Sequence, residues 1–405
     1  MICENVSKTG QRNCKHFTNI GNLHKKYQKT LEKVFKSLYY NITKTIKCFS
    51  KNKTDNSTAF LRGLTVMVSM KDISVACGVS VATVSKALND HRDIGAKTKE
   101  RIRQTAKEMG YFPNSAAQAL KTNRTYNIGV LFVDDAMSGL THDFFSYVLD
   151  SFKRTAEEHG YDITFINCSK NGKNRMSYLE HAKHRGFDGV VIACIDFNDP
   201  EVVELIRSDL PVVTIDHLFN NRIAIVSDNV SGMRQLFTYI YKKGHRKIAY
   251  IHGEDSSVTQ NRLSSFYKTA KELGVEIPDE YVKTAAYRDT KKAYKKTMEL
   301  LDLPDPPTCI LYPDDFASFG GINAIQARGL RIPEDISVAG YDGIRVARHI
   351  EPKLTTLRQD TELIGREAAK NLISLIEEPK STLIQVITIG GDVLEGHSVK
   401  DLNME

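Results

Sequence analysis

Two patterns of apolar spacing divide the chain. Between residues 68 and 112 apolar positions recur at helical intervals: Ile73 and Ala76, then Val84 and Leu88, then Ile102, Ala106 and Met109. Cys77-Gly78-Val79 supplies a tight turn whose glycine tolerates positive φ, and Ser80 stands where it would cap the second helix. Gly110 ends the third helix and Pro113 prevents its resumption. Three short helices around a small core are predicted. From Tyr126 onward strand and helix patterns alternate. Apolar runs at Ile128–Val133, Ile163–Ile166, Gly189–Ala193, Val212–Ile215, Lys247–Ile251, Cys309–Leu311 and Ile336–Ala339 read as strands. Helical segments such as Phe144–Glu158, Pro200–Ser208, Ser231–Lys243, Arg262–Leu273 and Thr290–Leu301 separate them. Such alternation predicts parallel sheets built from right-handed crossovers, with ligand sites beyond the carboxyl ends of strands, between two lobes.

Residues 1–66 carry little packing pattern. Leu23, Tyr27, Leu31, Phe35 and Leu38 fall near helical spacing among Lys25, Lys26, Lys29, Lys33 and Lys36, which fits a basic amphipathic helix. The preferred reading is plainer: a poorly ordered tail, or residues upstream of a start at Met67 or Met70. Cys14, His16 and His24 lack a fourth ligand at a suitable spacing for a metal site.

Composition narrows the class. The 405 residues suffice for two or three domains, and 41% hydrophobic with 26% charged residues is a globular mixture rather than a disordered one. No run of 18 apolar residues occurs, so no membrane span is predicted, and the N-terminus has no apolar region of the kind a cleaved secretory signal needs. Seven cysteines without a Cys-x-x-Cys pair suit reduced thiols in a cytosol better than a disulfide framework or a zinc ribbon. The net charge of +7 acquires meaning only when divided: residues 1–66 hold 13 Lys/Arg against 3 Asp/Glu, residues 67–126 hold 10 against 5, and the remaining 279 hold 33 against 41. A basic amino-terminal third is joined to an acidic body.

The stretch from Met70 to Asn89 reads as a helix–turn–helix, whose second helix enters the major groove. Its outward positions are Val81, Ala82, Ser85, Lys86 and Asn89. Lys86 suits guanine O6 or N7, Val81 and Ala82 suit thymine methyls, and Ser80, Thr83 and Ser85 suit phosphate oxygens. With Gly78-Val79-Ser80, Thr83-Val84-Ser85, Asn89, Ala96-Lys97-Thr98, Arg101 and Gly110-Tyr111-x-Pro113-Asn114 in place, the chain strongly resembles the lac repressor family of bacterial transcription regulators. The resemblance runs from residue 68 to about 395. It implies a multi-domain fold: a small all-α DNA-binding domain at 67–113, a hinge helix and linker at 114–126, and a two-lobed α/β sensor with parallel sheets at 127–395, similar to periplasmic sugar-binding proteins. Residues 1–66 and 396–405 are then an extension and a tail. In the hinge, Asn114 and the small Ala117 would approach a partner helix, and Leu120 resembles the family's apolar wedge in the minor groove. A bare interdomain linker is the alternative for this stretch.

The resemblance also implies effector-binding residues. Arg262-Leu-Ser-Ser-Phe266 resembles the family's Arg-Leu-x-Gly-Phe motif, with Ser265 replacing the glycine, and its arginine points at the effector. Gly340-Tyr-Asp342 matches the family's Gly-Tyr-Asp, which sets Asp342 at a strand's carboxyl end. Asp314 stands where asparagine is common, with Asp315 beside it read as a helix cap. Asp228 is read with equal weight as a cleft residue or as a cap. Phe145, paired with Phe144, packs on ligand or in the core, and Asp134 and Asp135 extend the wall. A sugar is the expected effector, since carboxylates and a guanidinium suit many hydroxyls; a purine or a phosphoprotein is the alternative. The expected assembly is a cytoplasmic homodimer on double-stranded, palindromic operator DNA, acting as a repressor, with no cofactor, no metal and no membrane. His142, His181, His184 and His217 read as ordinary surface or loop histidines. No nucleophile elbow, phosphate loop or dinucleotide fingerprint occurs, so no enzyme is expected. A second class, an extracytoplasmic solute-binding protein, is disfavoured by the helix–turn–helix and the missing signal.

Overall fold

A computed structural model of the chain describes residues 68–112, 119, 122–134, 138–166 and 175–404. The extension 1–66 and the hinge positions Asn114, Ala117 and Leu120 lie outside the described residues. The chain divides into two compact units, with the boundary after Pro113.

In the first unit, α1 (Met70–Cys77), α2 (Val81–Leu88) and α3 (Ala96–Glu108) surround Ile73, Cys77, Val84, Ala87, Ile102 and Ala106. Ser69 and Asp72 form a reciprocal capping box at the start of α1, and Gly78 ends the helix at φ 62°. Ser80 caps α2 as predicted, accepting from Thr83 N at 3.1 Å. One expected core residue is wrong: Ala76 is exposed, and the inward face is completed by Cys77, four residues after Ile73. The i, i+4 spacing that sets Val84 beside Leu88 applies here too.

The second unit holds two six-stranded sheets. The first lobe is built from β1 (Asn127–Phe132), α4 (Asp143–Glu158), β2 (Asp162–Phe165), α5 (Tyr178–Arg185), β3 (Gly189–Ala193), α6 (Pro200–Arg207), β4 (Val212–Ile215) and β5 (Ile223–Ser227). The second follows as α7 (Asn229–Lys242), β6 (Ile248–His252), α8 (Ser257–Glu272), β7 (Val282–Thr284), α9 (Thr290–Leu301), β8 (Cys309–Leu311), α10 (Asp315–Ala327), β9 (Ser337–Asp342) and β10 (Thr355–Gln359). The chain then returns to the first lobe through α11 (Thr361–Glu377) and β11 (Val386–Ile389), and crosses again to end in β12 (Gly391–Leu394). Strand order is β11-β5-β4-β3-β1-β2 in the first sheet and β12-β10-β9-β8-β6-β7 in the second; every pairing is parallel except β10 with β12.

Both faces of each sheet are covered, which is why the strands read as unbroken apolar runs rather than as alternations. On β3, Val191 and Ala193 meet α4 and α11, while Val190 and Ile192 meet α5 and α6. On β6, Ile248 and Tyr250 meet α7 and α8, while Ala249 and Ile251 meet α9 and α10. The strands without a sequence expectation, β5, β7, β10, β11 and β12, include three of the four sheet edges (all but β2), where burial on two faces no longer imposes a long apolar run. Helix α8 starts at Ser257, five residues before the expected Arg262, because Ser256 caps it by accepting from Thr259 N at 3.1 Å.

Candidate functional site

In the helix–turn–helix unit, α2 buries Val84 and Ala87 and thereby turns Val81, Ala82, Lys86 and Asn89 to solvent, with Ser85 half-buried beside them. These are the positions expected to read DNA, and they share one face. The Ser80 hydroxyl is committed to the cap and to the Thr83 hydroxyl at 2.9 Å. Lys86 ion-pairs with Asp93 at 2.5 Å, both side chains half-exposed, and Asn89 donates to Ser85 O at 2.7 Å.

In the second unit, the polar cluster lies where the carboxyl ends of the strands of the two sheets meet. Arg262, on the second turn of α8, is 3% exposed. Its Nε donates to Asn229 Oδ1 at 2.7 Å, its Nη1 to Pro313 O at 2.9 Å, and its guanidinium carbon lies over the Tyr341 ring, 3.5 Å from the ring centre. Burial opposes its charge, but Tyr287, Tyr341 and Asp342 hold its pKa above the ordinary value. Ser265, in place of glycine, fits: its hydroxyl donates to Val230 O at 2.7 Å and ties α8 to α7.

The Gly340-Tyr341-Asp342 motif has a physical reading at each position. A Cβ on Gly340 would come within 2.1 Å of Asp315 Oδ1, Tyr341 is the platform under Arg262, and Asp342 carries the carboxylate. Asp342 sits at φ 106° and accepts from Gln359 Nε2 at 2.7 Å. Burial pushes its carboxyl up to about 7.

The cap expected of Asp315 is supplied by its neighbour instead. Asp314 is the cap of α10, accepting from Ala317 N at 2.7 Å and from Arg288 N at 2.8 Å. Asp315, expected to cap, is the first helical residue and is fully buried, accepting from Thr356 Oγ1 at 2.6 Å and Ile344 N at 2.8 Å. Burial, with Asp342 nearby, holds its carboxyl well above the usual range; burial raises Asp314 as well. The capping reading of Asp228 is the one observed: its carboxylate accepts from Ser231 N at 2.9 Å at the head of α7. Phe145 is half-buried against Phe132, His142 and Phe144, 5.0–5.5 Å between ring centres.

Several site residues had no sequence expectation. Asp216 follows the apolar run of β4 at φ 58°, accepts from Ser227 N at 2.8 Å and has its pKa raised by burial. The rule that points to Asp342, an acid at the carboxyl end of a buried run, applies equally to it. Arg288, also left-handed at φ 58°, reaches from the second lobe to Asp143 of the first at 2.9 Å and covers the Phe316 ring at 4.4 Å. Arg288 Nε and Gln359 Oε1 are buried without a hydrogen-bond partner among the described residues. Nothing in the local sequence marks Arg288, because its role depends on a contact across the lobes. Left-handed non-glycine residues at Cys194, Asp216, Arg288 and Asp342 concentrate backbone strain around this cluster.

At the first lobe's end of the cluster, His142 is buried rather than a surface histidine: it caps α4, accepting from Phe145 N at 3.4 Å, and burial with Arg288 nearby pushes its pKa down to about 4. Ligand-capable atoms of Asp134, His142 and Cys194 lie within 4.8 Å of one another.

Comparison with known proteins agrees with this layout. A family model described as periplasmic binding proteins and sugar binding domain of LacI family matches residues 125–391, and one for bacterial regulatory proteins, lacI family, matches residues 69–114. The HTH-type transcriptional repressor PurR of Pectobacterium atrosepticum is 28% identical over 341 residues, covering 83% of this chain and 98% of that protein. Among solved structures, the lac repressor dimer bound to operator and an anti-inducer superposes with a TM-score of 0.69 at 24% identity, over 82% of this chain and 99% of that one. The transcriptional regulator CelR in complex with cellobiose gives 0.60 at 24% identity with the same coverage. The chain therefore belongs to the lacI family of bacterial regulatory proteins, as a DNA-binding transcriptional repressor controlled by a small-molecule effector.

Proposed function

We propose that this repressor is a cytoplasmic, non-enzymatic homodimer that reads a palindromic operator and takes a sugar between its lobes. The domain limits that go with this reading are 67–113 for the reader, 114–126 for the hinge and 127–395 for the sensor. Val81, Ala82, Lys86 and Asn89 meet base edges; Ser80, Thr83 and Ser85 meet phosphates; Asn114, Ala117 and Leu120 belong to the hinge in the minor groove. Arg262, Asp342, Asp216 and Arg288 line the effector site, with Phe145 at its first-lobe wall. Asp314 and Asp228 serve it indirectly, as caps that hold α10 and α7.

The observation that carries the sugar is a pair of buried atoms unsatisfied among the described residues: a donor at Arg288 Nε, whose guanidinium meets Asp143 and Phe316, and an acceptor at Gln359 Oε1, whose amide donates to Asp342. Buried polar atoms without partners are costly, and a hydroxyl-rich ligand donates and accepts at once. The similar regulator CelR holds cellobiose, which supports the class. An effector that accepts from Arg288 Nε engages the same guanidinium whose Nη1 bridges to Asp143 across the lobes. It thereby biases lobe closure, and operator affinity changes by population shift.

Thermal unfolding of the full chain against mono- and disaccharides and against nucleobases tests the effector. A sugar at a hundredfold excess over its Kd is expected to add about 2.7 kcal/mol. Stabilisation by nucleobases alone replaces the sugar with a purine-like ligand. Fluorescence anisotropy on a palindromic and a scrambled duplex across salt concentrations tests the reader, and equal affinity for both removes the operator.

A further inference from the structure

We propose that Asp134, His142 and Cys194 form a binding site for one divalent transition-metal ion of the zinc type. The three come from separate stretches that parallel pairing brings together. Asp134 follows β1, Cys194 follows β3, its neighbour in the sheet, and His142 heads α4. Carboxylate oxygen, imidazole nitrogen and thiolate sulfur are together the donor set of a borderline-soft cation, and neither calcium nor magnesium takes the last two. Their ligand atoms are within 4.8 Å of one another. Tetrahedral zinc with bonds of about 2.0–2.3 Å separates its ligands by roughly 3.5 Å, so side-chain rotations of about 1 Å close the set.

Two features prepare it. The Asp134 carboxylate is oriented by Ser138 N at 2.7 Å, Gly139 N at 3.1 Å and the Ser138 hydroxyl, the outer-shell support that ligating carboxylates have. The left-handed backbone at Cys194, φ 52°, is paid for at this one position of the β3 exit. His142 is buried while Asp134 and Cys194 are half-buried, and three protein ligands leave the fourth tetrahedral position to water or a small ligand. Coordination through Nδ1 would replace the long bond from Phe145 N, 3.4 Å, whereas coordination through Nε2 would leave that cap in place. The proposal does not depend on the effector being a sugar.

Cobalt(II) added to the reduced, full-length chain tests it. The expected result is a thiolate-to-cobalt charge-transfer band with tetrahedral d–d absorption, of which one equivalent disappears in C194S. H142N, which retains a capping side chain, is expected to weaken zinc in competition titrations by more than the roughly 10–100-fold that an outer-shell change costs. Circular dichroism of each variant establishes that it is folded, and H142N decides the matter if C194S is not. A wild-type chain without the band, or a band and a zinc affinity unchanged in C194S and H142N, overturns the site.

Discussion

Val81, Ala82, Lys86 and Asn89 stand in water on the second helix of the reader, whereas Arg262, Asp314 and Asp315 of the sensor are almost wholly enclosed. The contrast sets what each can do at low cost. Lys86 and Asp93 are half-exposed, and an ion pair of that kind adds little stability, so Lys86 can exchange Asp93 for a base edge with almost no penalty to the fold. Arg262 has no such freedom. Its charge is desolvated and offset by Asn229, Pro313, Tyr287, Tyr341 and the nearby carboxylates, so the groups that would sense a ligand are also groups that hold two helices and a strand in place. On the proposed assignments, recognition and stability separate in the reader and share the same contacts in the sensor.

The sharpest test removes the centre of the buried network. Arg262→Ala is expected to lower the unfolding free energy by about 3–5 kcal/mol, because it leaves buried partners uncompensated. Urea denaturation measures this, and a loss near zero would break the contrast. Next comes the charge state of Asp342. A carboxyl raised to about 7 in the fold stabilises it fully below the ordinary carboxylate range and loses that contribution as pH rises through 7. The wild type should therefore lose stability relative to Asp342→Asn between pH 4 and 7, with a slope approaching about 1.4 kcal/mol per pH unit for one proton. A flat difference between the two across that range would show that Asp342 is ionised throughout.

On the reader the effects move from the fold to the DNA. Lys86→Ala is expected to weaken operator binding by about 1–3 kcal/mol and to relax one base position, with the melting temperature unchanged. A uniform loss on all sequences would make Lys86 a phosphate contact. Smallest is Ser80→Ala, about 1 kcal/mol of stability from the lost cap of α2, read by thermal unfolding.

The same contrast explains what the sequence makes legible. The reader is built from contacts close along the chain, so Ser80 as a cap, Val84 as core and the outward set on α2 follow from spacing alone; only Ala76 and Cys77 are exchanged. In the sensor, most interior strands announce themselves by apolar runs, though β5 and β10 are not picked out, and edge strands such as β7 and β12 do not. Arg262 and Asp342 are found through motifs. Arg288 and Gln359 are not, because one works across the lobes and the other across a pair of strands. Asp314 and Asp315 cannot be told apart without knowing which of them precedes the first helical turn, a difference of one residue in φ and ψ.

The last crossings of the chain bear on how the protein is made. Strand β11 pairs with β5, and β12 pairs with β10, so residues 386–394 complete one edge of each sheet. During synthesis neither lobe has its full complement of strands when Glu377 leaves the ribosome, although most of both cores already exists. Until those nine residues emerge, β5 and β10 expose unpaired backbone that another chain could bind. The two lobes are thus completed together, by one stretch of nine residues, rather than one after the other. A chaperone that shields strand edges would be needed longest in that interval.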